Sequence, residues 1–196
     1  MEDKNNNLDL RIKRTRKLLS KALLELMTEK SFDEIKISDI CTKAMVHRTT
    51  FYKHFEDKYN LLNYCLKDLM NKFEEKALSI PSSIENPRQY YVNLFKIILE
   101  HMKENKKLYF IGLDNLRNHA TINIFQKTLS QCIYYRLNEN IKFGISFEIP
   151  IEVMSEIFSS SMISIGIWWL DNSMPISIDK LIVYVDKMIG TIAIEK

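Results

Sequence analysis

Four glycines and four prolines in 196 residues leave too few chain-reversing positions for a turn-rich β architecture, which needs a turn residue about every ten positions. A chain of this length must then be built from long helices with few connections, and the expected class is all-α. With 46% hydrophobic and 27% charged residues it falls among ordinary folded chains, not disordered or collagen-like ones. Its most apolar stretch, residues 157–170, holds four serines and a glycine and is shorter than the roughly 18–20 residues of a membrane span, so no membrane partner is expected. The start, MEDKNNN, is acidic and polar with no apolar segment behind it; a cytoplasmic protein without a secretory leader is expected. Cys41, Cys65 and Cys132 are odd in number and widely spaced, which suggests neither a disulfide framework nor a zinc site, but small buried side chains.

The net charge of +3 is unevenly placed: residues 1–60 hold 13 Lys/Arg against 10 Asp/Glu, and residues 61–196 hold 15 of each. Arg11, Lys13, Arg14, Arg16 and Lys17 crowd into the first turns of a helix expected over residues 10–29, whose apolar face is Ile12, Leu19, Leu23 and Leu26. Cations at a helix N-terminus oppose its dipole, so helix stability does not account for the cluster, whereas a polyphosphate partner would. Ser38 is the expected N-cap of a short helix ending near Met45, with Ile37, Ile40, Cys41 and Ala44 inward. A second short helix over residues 48–55 points Phe51 and Phe55 one way and leaves Arg48, Thr49, Tyr52 and Lys53 outward. Two short helices joined by a tight turn, the second showing cations, hydroxyls and an aromatic ring, fit a helix-turn-helix whose second helix enters the major groove. Asp57 caps a long linking helix over residues 58–78, and Pro81 closes it. Further helices are expected at 87–104, 106–115, 118–142, 151–172 and 177–194, about nine in all.

Residues 31–62, SFDEIKISDICTKAMVHRTTFYKHFEDKYNLL, resemble the DNA-binding region of the TetR/AcrR family of bacterial transcriptional regulators. The likeness rests on Ile40, Ala44 and Val46, on the run Thr50 to Phe55, and on Asp57, Lys58, Leu61 and Leu62; residues 10–62 take part. It implies a DNA-binding domain at residues 1–62 with its motif at 36–55, a linking helix and connector at 63–84, and a ligand-binding and dimerisation domain at 85–196. It also implies a ligand-responsive repressor that binds a pseudo-palindromic operator in double-stranded DNA as a homodimer and responds to an unknown small-molecule effector. Carried over by position, Arg48, Thr49, Thr50, Tyr52, Lys53 and His54 face DNA, with Tyr52 and Lys58 on phosphates; Arg14 and Ser38 complete the set. Arg48 suits either bidentate guanine readout or a phosphate clamp. Two positions depart from the family: Met45 stands where glycine is common in the turn, and His47 where a serine N-cap is common. A left-handed turn residue at Met45 would cost about 1 kcal/mol.

No catalytic, cofactor or metal site is expected. His47 and His54 belong to the motif, His101 and His119 stand alone, Glu74 and Glu75 diverge around a helix, and no HExxH, GxGxxG, P-loop or GxSxG is present. For the effector, the aromatic and polar set Tyr91, Phe95, His101, Phe110, Asn115, His119, Tyr134 and Trp168 is the candidate lining. The last two helices are apolar on more than one side and are expected to meet a symmetry mate through Ile157, Ile165, Trp169, Leu181, Val185, Met188, Ile189 and Ile192. The rival reading is an adaptor or co-activator that keeps this fold and acts through a protein partner; it predicts loss of DNA-facing cations, and Arg48, Lys53 and Lys58 are all present.

Overall fold

Most of the apolar spacings read above belong to helices in the computed structural model, which describes residues 2–116 and 119–189, with side chains at 10–83, 86–111 and 121–189. Ten helices follow one another: α1 (Glu2–Leu26), α2 (Ile37–Ala44), α3 (Arg48–Tyr52), α4 (Lys58–Leu78), α5 (Pro81–Glu85), α6 (Pro87–Glu104), α7 (Lys106–Leu116), α8 (His119–Lys142), α9 (Ile151–Asp171) and α10 (Ile178–Ile189). No strand occurs among the described residues. The all-α expectation therefore holds. The chain groups into two compact units: residues 1–66 with 107–122, and residues 67–106 with 123–196. α7 thus falls with the N-terminal helices, and α4 runs from one unit into the other.

The first unit is built on fully buried Leu19, Leu23, Phe32, Ile40, Phe51 and Leu61. Burying a phenylalanine or leucine contributes roughly 1.5–3 kcal/mol each, which fixes the short α2 and α3 that propensity alone could not hold. Two surface contacts to Lys43 near the end of α2, from Glu29 Oε1 (2.6 Å) and Glu25 Oε2 (3.7 Å), draw it toward the end of α1.

In the second unit α6 is the central rod. Asn86 accepts the Arg88 amide at 2.9 Å and Pro87 starts the helix, which buries Tyr90, Tyr91, Leu94, Phe95, Ile97 and Leu99. Arg88 clamps α10 to it, donating from Nε to Asp186 Oδ1 and from a terminal nitrogen to the Asp186 carbonyl, both at 2.8 Å. α9 approaches α6 at Gly166, where a Cβ would lie 3.0 Å from Met102 Cε and Sδ. Gln126 and Ser130 of α8 donate to Ser160 (2.9 Å) and Glu156 (2.6 Å) of α9. By length and composition α9 is long and apolar enough to cross a membrane, which residues 157–170 alone are not. In this unit it is a core helix, with Met154, Phe158, Met162, Trp169 and Leu170 buried and the buried hydroxyls of Ser155 and Ser159 returned to carbonyls of their own helix.

The expected dimer residues divide on burial. Trp169 is 1% exposed and donates its indole N–H to the Ile176 carbonyl at 2.8 Å, and Leu181, Val185 and Ile189 are buried against the same chain. These four are intrachain core, because a seam residue must be exposed in the single chain. Ile157 and Met188 are exposed, Ile165 is half-buried, and Ile192 lies outside the described residues.

Candidate nucleic-acid interface

The geometry of the motif begins at its turn. α2 is capped by Lys36, not by Ser38: the Lys36 amide donates to Asp39 Oδ2 at 3.2 Å and the Asp39 amide to the Lys36 carbonyl at 2.9 Å. Ser38 lies inside the first turn and donates to Asp39 Oδ1. At the other end, Met45 takes φ +55° and ψ +45°, its amide donates to Thr42 O at 3.2 Å, and the Val46 amide donates to Cys41 O at 3.0 Å. This pair of bonds around a left-handed residue is a Schellman stop, normally made by glycine. It frees the chain to restart at once, and α3 begins two residues later. His47 is its N-cap by backbone only, with no side-chain bond, as its departure from serine implies.

α3 is shorter than the expected 48–55, but the aromatic packing continues past it. Phe51 lies 5.9 Å from Phe55 between ring centroids, and Phe55 lies 5.5 Å from Tyr64. With Phe51 and Phe55 inward, Arg48, Thr49, Tyr52 and Lys53 are exposed, Tyr52 at 58%, while Thr50, His54 and Ser38 are half-buried beside them. Arg14 is exposed on α1, together with Arg11, Lys13 and Lys17. Burial together with the charges of Arg16 and Lys53 holds the His54 imidazole below its ordinary pKa.

Lys58 does something other than what its position suggested. Its ammonium donates to the carbonyls of Phe32 (2.8 Å), Asp33 (3.0 Å) and Ile35 (3.1 Å), and lies 4.7 Å from the Phe32 ring centroid. An ammonium has three protons, and all three are engaged, so Lys58 ties the segment between α1 and α2 to the start of α4 in place of a phosphate contact. Asp57 caps α4 as expected, accepting from the Asn60 amide at 2.7 Å. Arg16, one of the five α1 cations read in the sequence, has a packing role not assigned from the sequence. Its guanidinium stacks against Phe55 (6.0 Å) and Tyr64 (5.6 Å) beside His54. The signal was present, since Arg16 shares the face of Ile12, Leu19 and Leu23.

The described residues of the expected effector lining differ in their surroundings. Tyr91 and Phe95 are fully buried on α6, His101 packs edge-on against Phe73 at 5.0 Å, Tyr134 is half-buried, and Trp168 is 47% exposed. Phe110 belongs to the first unit, and the side chains of Asn115 and His119 lie outside the described ones. A cleft of about 900 Å³ does open in the second unit, between the C-terminal half of α6 and the segment joining α9 to α10, with Trp169 in its wall. It is lined by charges of both signs and by none of the eight.

Comparison with known proteins agrees with the motif. Residues 19–65 match the profile described as bacterial regulatory proteins of the tetR family, and residues 85–191 match that of a transcriptional regulator C-terminal region of the same family. The chain is 30% identical over 124 residues to the dhaKLM operon transcriptional activator DhaS of Lactococcus lactis, covering 61% of each, and 43% identical over 61 residues to the uncharacterized regulator YxbF of Bacillus subtilis. The YxbF match covers 31% of this chain and 16% of that protein, so the chain spans less than two thirds of either relative. A TetR transcriptional regulator from Streptococcus agalactiae shares the fold at a TM-score of 0.63 and 23% identity, over 94% of this chain and 98% of that one. With a helix-turn-helix at its N-terminus and a family profile over more than half its length, the chain belongs to the TetR family of bacterial transcriptional regulators.

Proposed function

We propose that this protein is a ligand-responsive repressor, not an enzyme, that binds a pseudo-palindromic operator in the cytoplasm as a homodimer. The observation that carries the DNA step is the exposed face of Arg48, Thr49, Tyr52 and Lys53, held rigid from behind by buried Phe51 and Phe55. Phosphate contacts from Tyr52, Lys53 and the α1 cations set register, and Arg48 reads a base. An effector in the second unit acts through α4, which begins just after the motif and ends in that unit. It releases DNA only if it binds the non-operator state better, so operator DNA must weaken effector binding by the same factor.

For the dimer, the exposed apolar residues take over from the buried ones. Val153, Ile157 and Trp168 recur at helical spacing on α9, and Val183, Tyr184 and Met188 are exposed on α10. Exposed apolar side chains on both of the last two helices suit a symmetric seam with a second copy. Trp168→Glu is expected to yield a folded monomer by light scattering that no longer retains operator; an intact dimer would move the seam elsewhere.

One observation favours a second reading, activation: DhaS is named an activator. Selection of sheared host DNA on the purified protein at about 150 mM salt tests the DNA step, because specific complexes survive salt that disperses purely electrostatic ones. Enriched fragments sharing a two-fold site support a regulator, and transcription from those fragments with and without the protein separates repression from activation. No enriched fragment would favour the adaptor.

A further inference from the structure

Three polar atoms in the core of the second unit have no hydrogen-bond partner: Tyr91 Oη, Arg136 Nε and Asn140 Nδ2. Buried donors of this kind are uncommon in folded proteins, because each forfeits its hydration without replacement. They lie on α6 and α8, two helices in contact at Tyr90. Arg136 and Asn140 stand one turn apart on α8, the Arg136 guanidinium lies 4.9 Å from the Tyr90 ring centroid, and the Tyr90 and Tyr91 rings are 5.1 Å apart on α6. Tyr91 is fully buried and Asn140 is 7% exposed.

All three can donate, so what completes them must accept. The charges around them narrow the choice. Arg136 makes no ion pair among the described residues; its one described contact is with the face of Tyr90. Glu74 of α4 acts on both tyrosine hydroxyls, and Lys67 of the same helix acts on neighbouring Cys132. Lys67 is exposed and solvated, which leaves Arg136 as the cation beside these donors, and Glu74 faces the Tyr90 hydroxyl without an ion pair to Arg136 among the described residues. The rest of the surroundings is apolar, with Phe158 at 5.2 Å from the Tyr91 ring and Ile133 and Leu137 fully buried on α8. A carboxylate offers two acceptor oxygens with lone pairs enough for three donors and a negative charge for the Arg136 guanidinium, which has no ion-pair partner among the described residues.

We infer that the second unit binds a small organic monocarboxylate with an apolar body, its carboxylate taken by Tyr91 Oη, Arg136 Nε and Asn140 Nδ2. As the identity of the effector, this rests on the proposed effector response; as a binding site, it stands on the three donors.

Titration calorimetry on the full-length protein tests it, with sodium octanoate and sodium benzoate as probes and octan-1-ol and benzyl alcohol as their uncharged counterparts. At least one carboxylate should bind about ten-fold or more tightly than its alcohol, as expected for a charge-assisted pair, and Arg136→Gln should remove that advantage. Tyr91→Phe, which is isosteric, should raise the thermal midpoint of the free protein while shrinking the further rise that the carboxylate produces. A tyrosine with only a packing role would not move the two in opposite directions, and this variant carries the test if Arg136→Gln does not fold. Binding by neither carboxylate, equal binding of the alcohol, or an advantage that survives both variants overturns the proposal. If an alcohol binds equally and releases operator DNA, the effector reading stands and the carboxylate site falls. If the carboxylate binds as described without altering DNA retention, the site stands and the effector reading falls.

Discussion

Replacing Met45 with glycine should stabilise the DNA-binding unit, even though it removes a large apolar side chain. Met45 sits at φ +55°, where a side chain with a Cβ costs about 1–2 kcal/mol relative to glycine. Two terms oppose the gain. Glycine has more freedom to lose on folding, about 0.5–1 kcal/mol, and the side chain gives up whatever contact it makes. That contact is small, because Met45 is 89% exposed; about a tenth of a full methionine burial is roughly 0.2 kcal/mol. The balance is a gain of about 0.5 kcal/mol, or roughly two-fold in the opening equilibrium of the turn. Amide hydrogen exchange at Val46, whose N–H closes the Schellman bond to Cys41, reads that opening directly. Met45→Ala removes the same contact but keeps the backbone cost, so its exchange should match or slightly exceed that of the parent. Met45→Val, which puts a β-branched residue in a conformation such residues rarely adopt, should exchange fastest. If alanine protects Val46 as well as glycine does, the left-handed backbone is not the source of the cost and the reasoning fails.

Lys58→Met should lower the urea midpoint of the first unit by an amount equivalent to about 2 kcal/mol, since three carbonyls lose a charged donor, while the salt slope of DNA binding by the folded variant stays unchanged. A slope reduced by about one would return Lys58 to the phosphates. Arg48→Ala should change which sequences are preferred, losing about 1–3 kcal/mol on the best site, whereas Lys53→Ala should weaken all duplexes alike and reduce the salt slope by about one; identical behaviour would refute that division. Burial holds the pKa of His54 and of His101 below the ordinary value in the folded chain, helped at His54 by the charges of Arg16 and Lys53 and opposed at His101 by that of Glu104. The unfolded chain therefore binds more protons near pH 6, so stability is complete above about 6.5 and declines as pH falls through the lowered folded values. His54→Gln and His101→Gln together should flatten urea midpoints between about pH 7 and 5, and an unchanged pH dependence would place its origin in other groups.

The helices most readable in the sequence were those whose ends carry chemistry. The spans 58–78 and 87–104 coincide with α4 and α6, because Asp57 and Asn86 cap them and Pro87 can only start a helix. Pro81 misled for the same reason: it closes α4, but it is also the first residue of α5. The left-handed turn at Met45 could be foreseen from the family's glycine, whereas the Lys36 cap could not, because Ser38 offers the better capping side chain and is passed over once Asp39 bonds back to the Lys36 amide. The role of Lys58 depended on carbonyls more than twenty residues away, which no local pattern encodes. α9 was hardest. It is apolar nearly all round, so its sequence does not say which side turns inward, and Trp168 and Trp169 were each assigned the other's kind of surroundings.

Those adjacent tryptophans give the molecule an internal optical reference. They are the chain's only two, Trp168 at 47% exposure and Trp169 at 1%. An aqueous quencher such as iodide can reach the first indole and not the second, so the fluorescence of the unmodified protein divides into a quenchable and a shielded fraction. Covering the outer face of α9 would shrink the quenchable fraction, loosening the core would enlarge it, and neither change requires an attached dye.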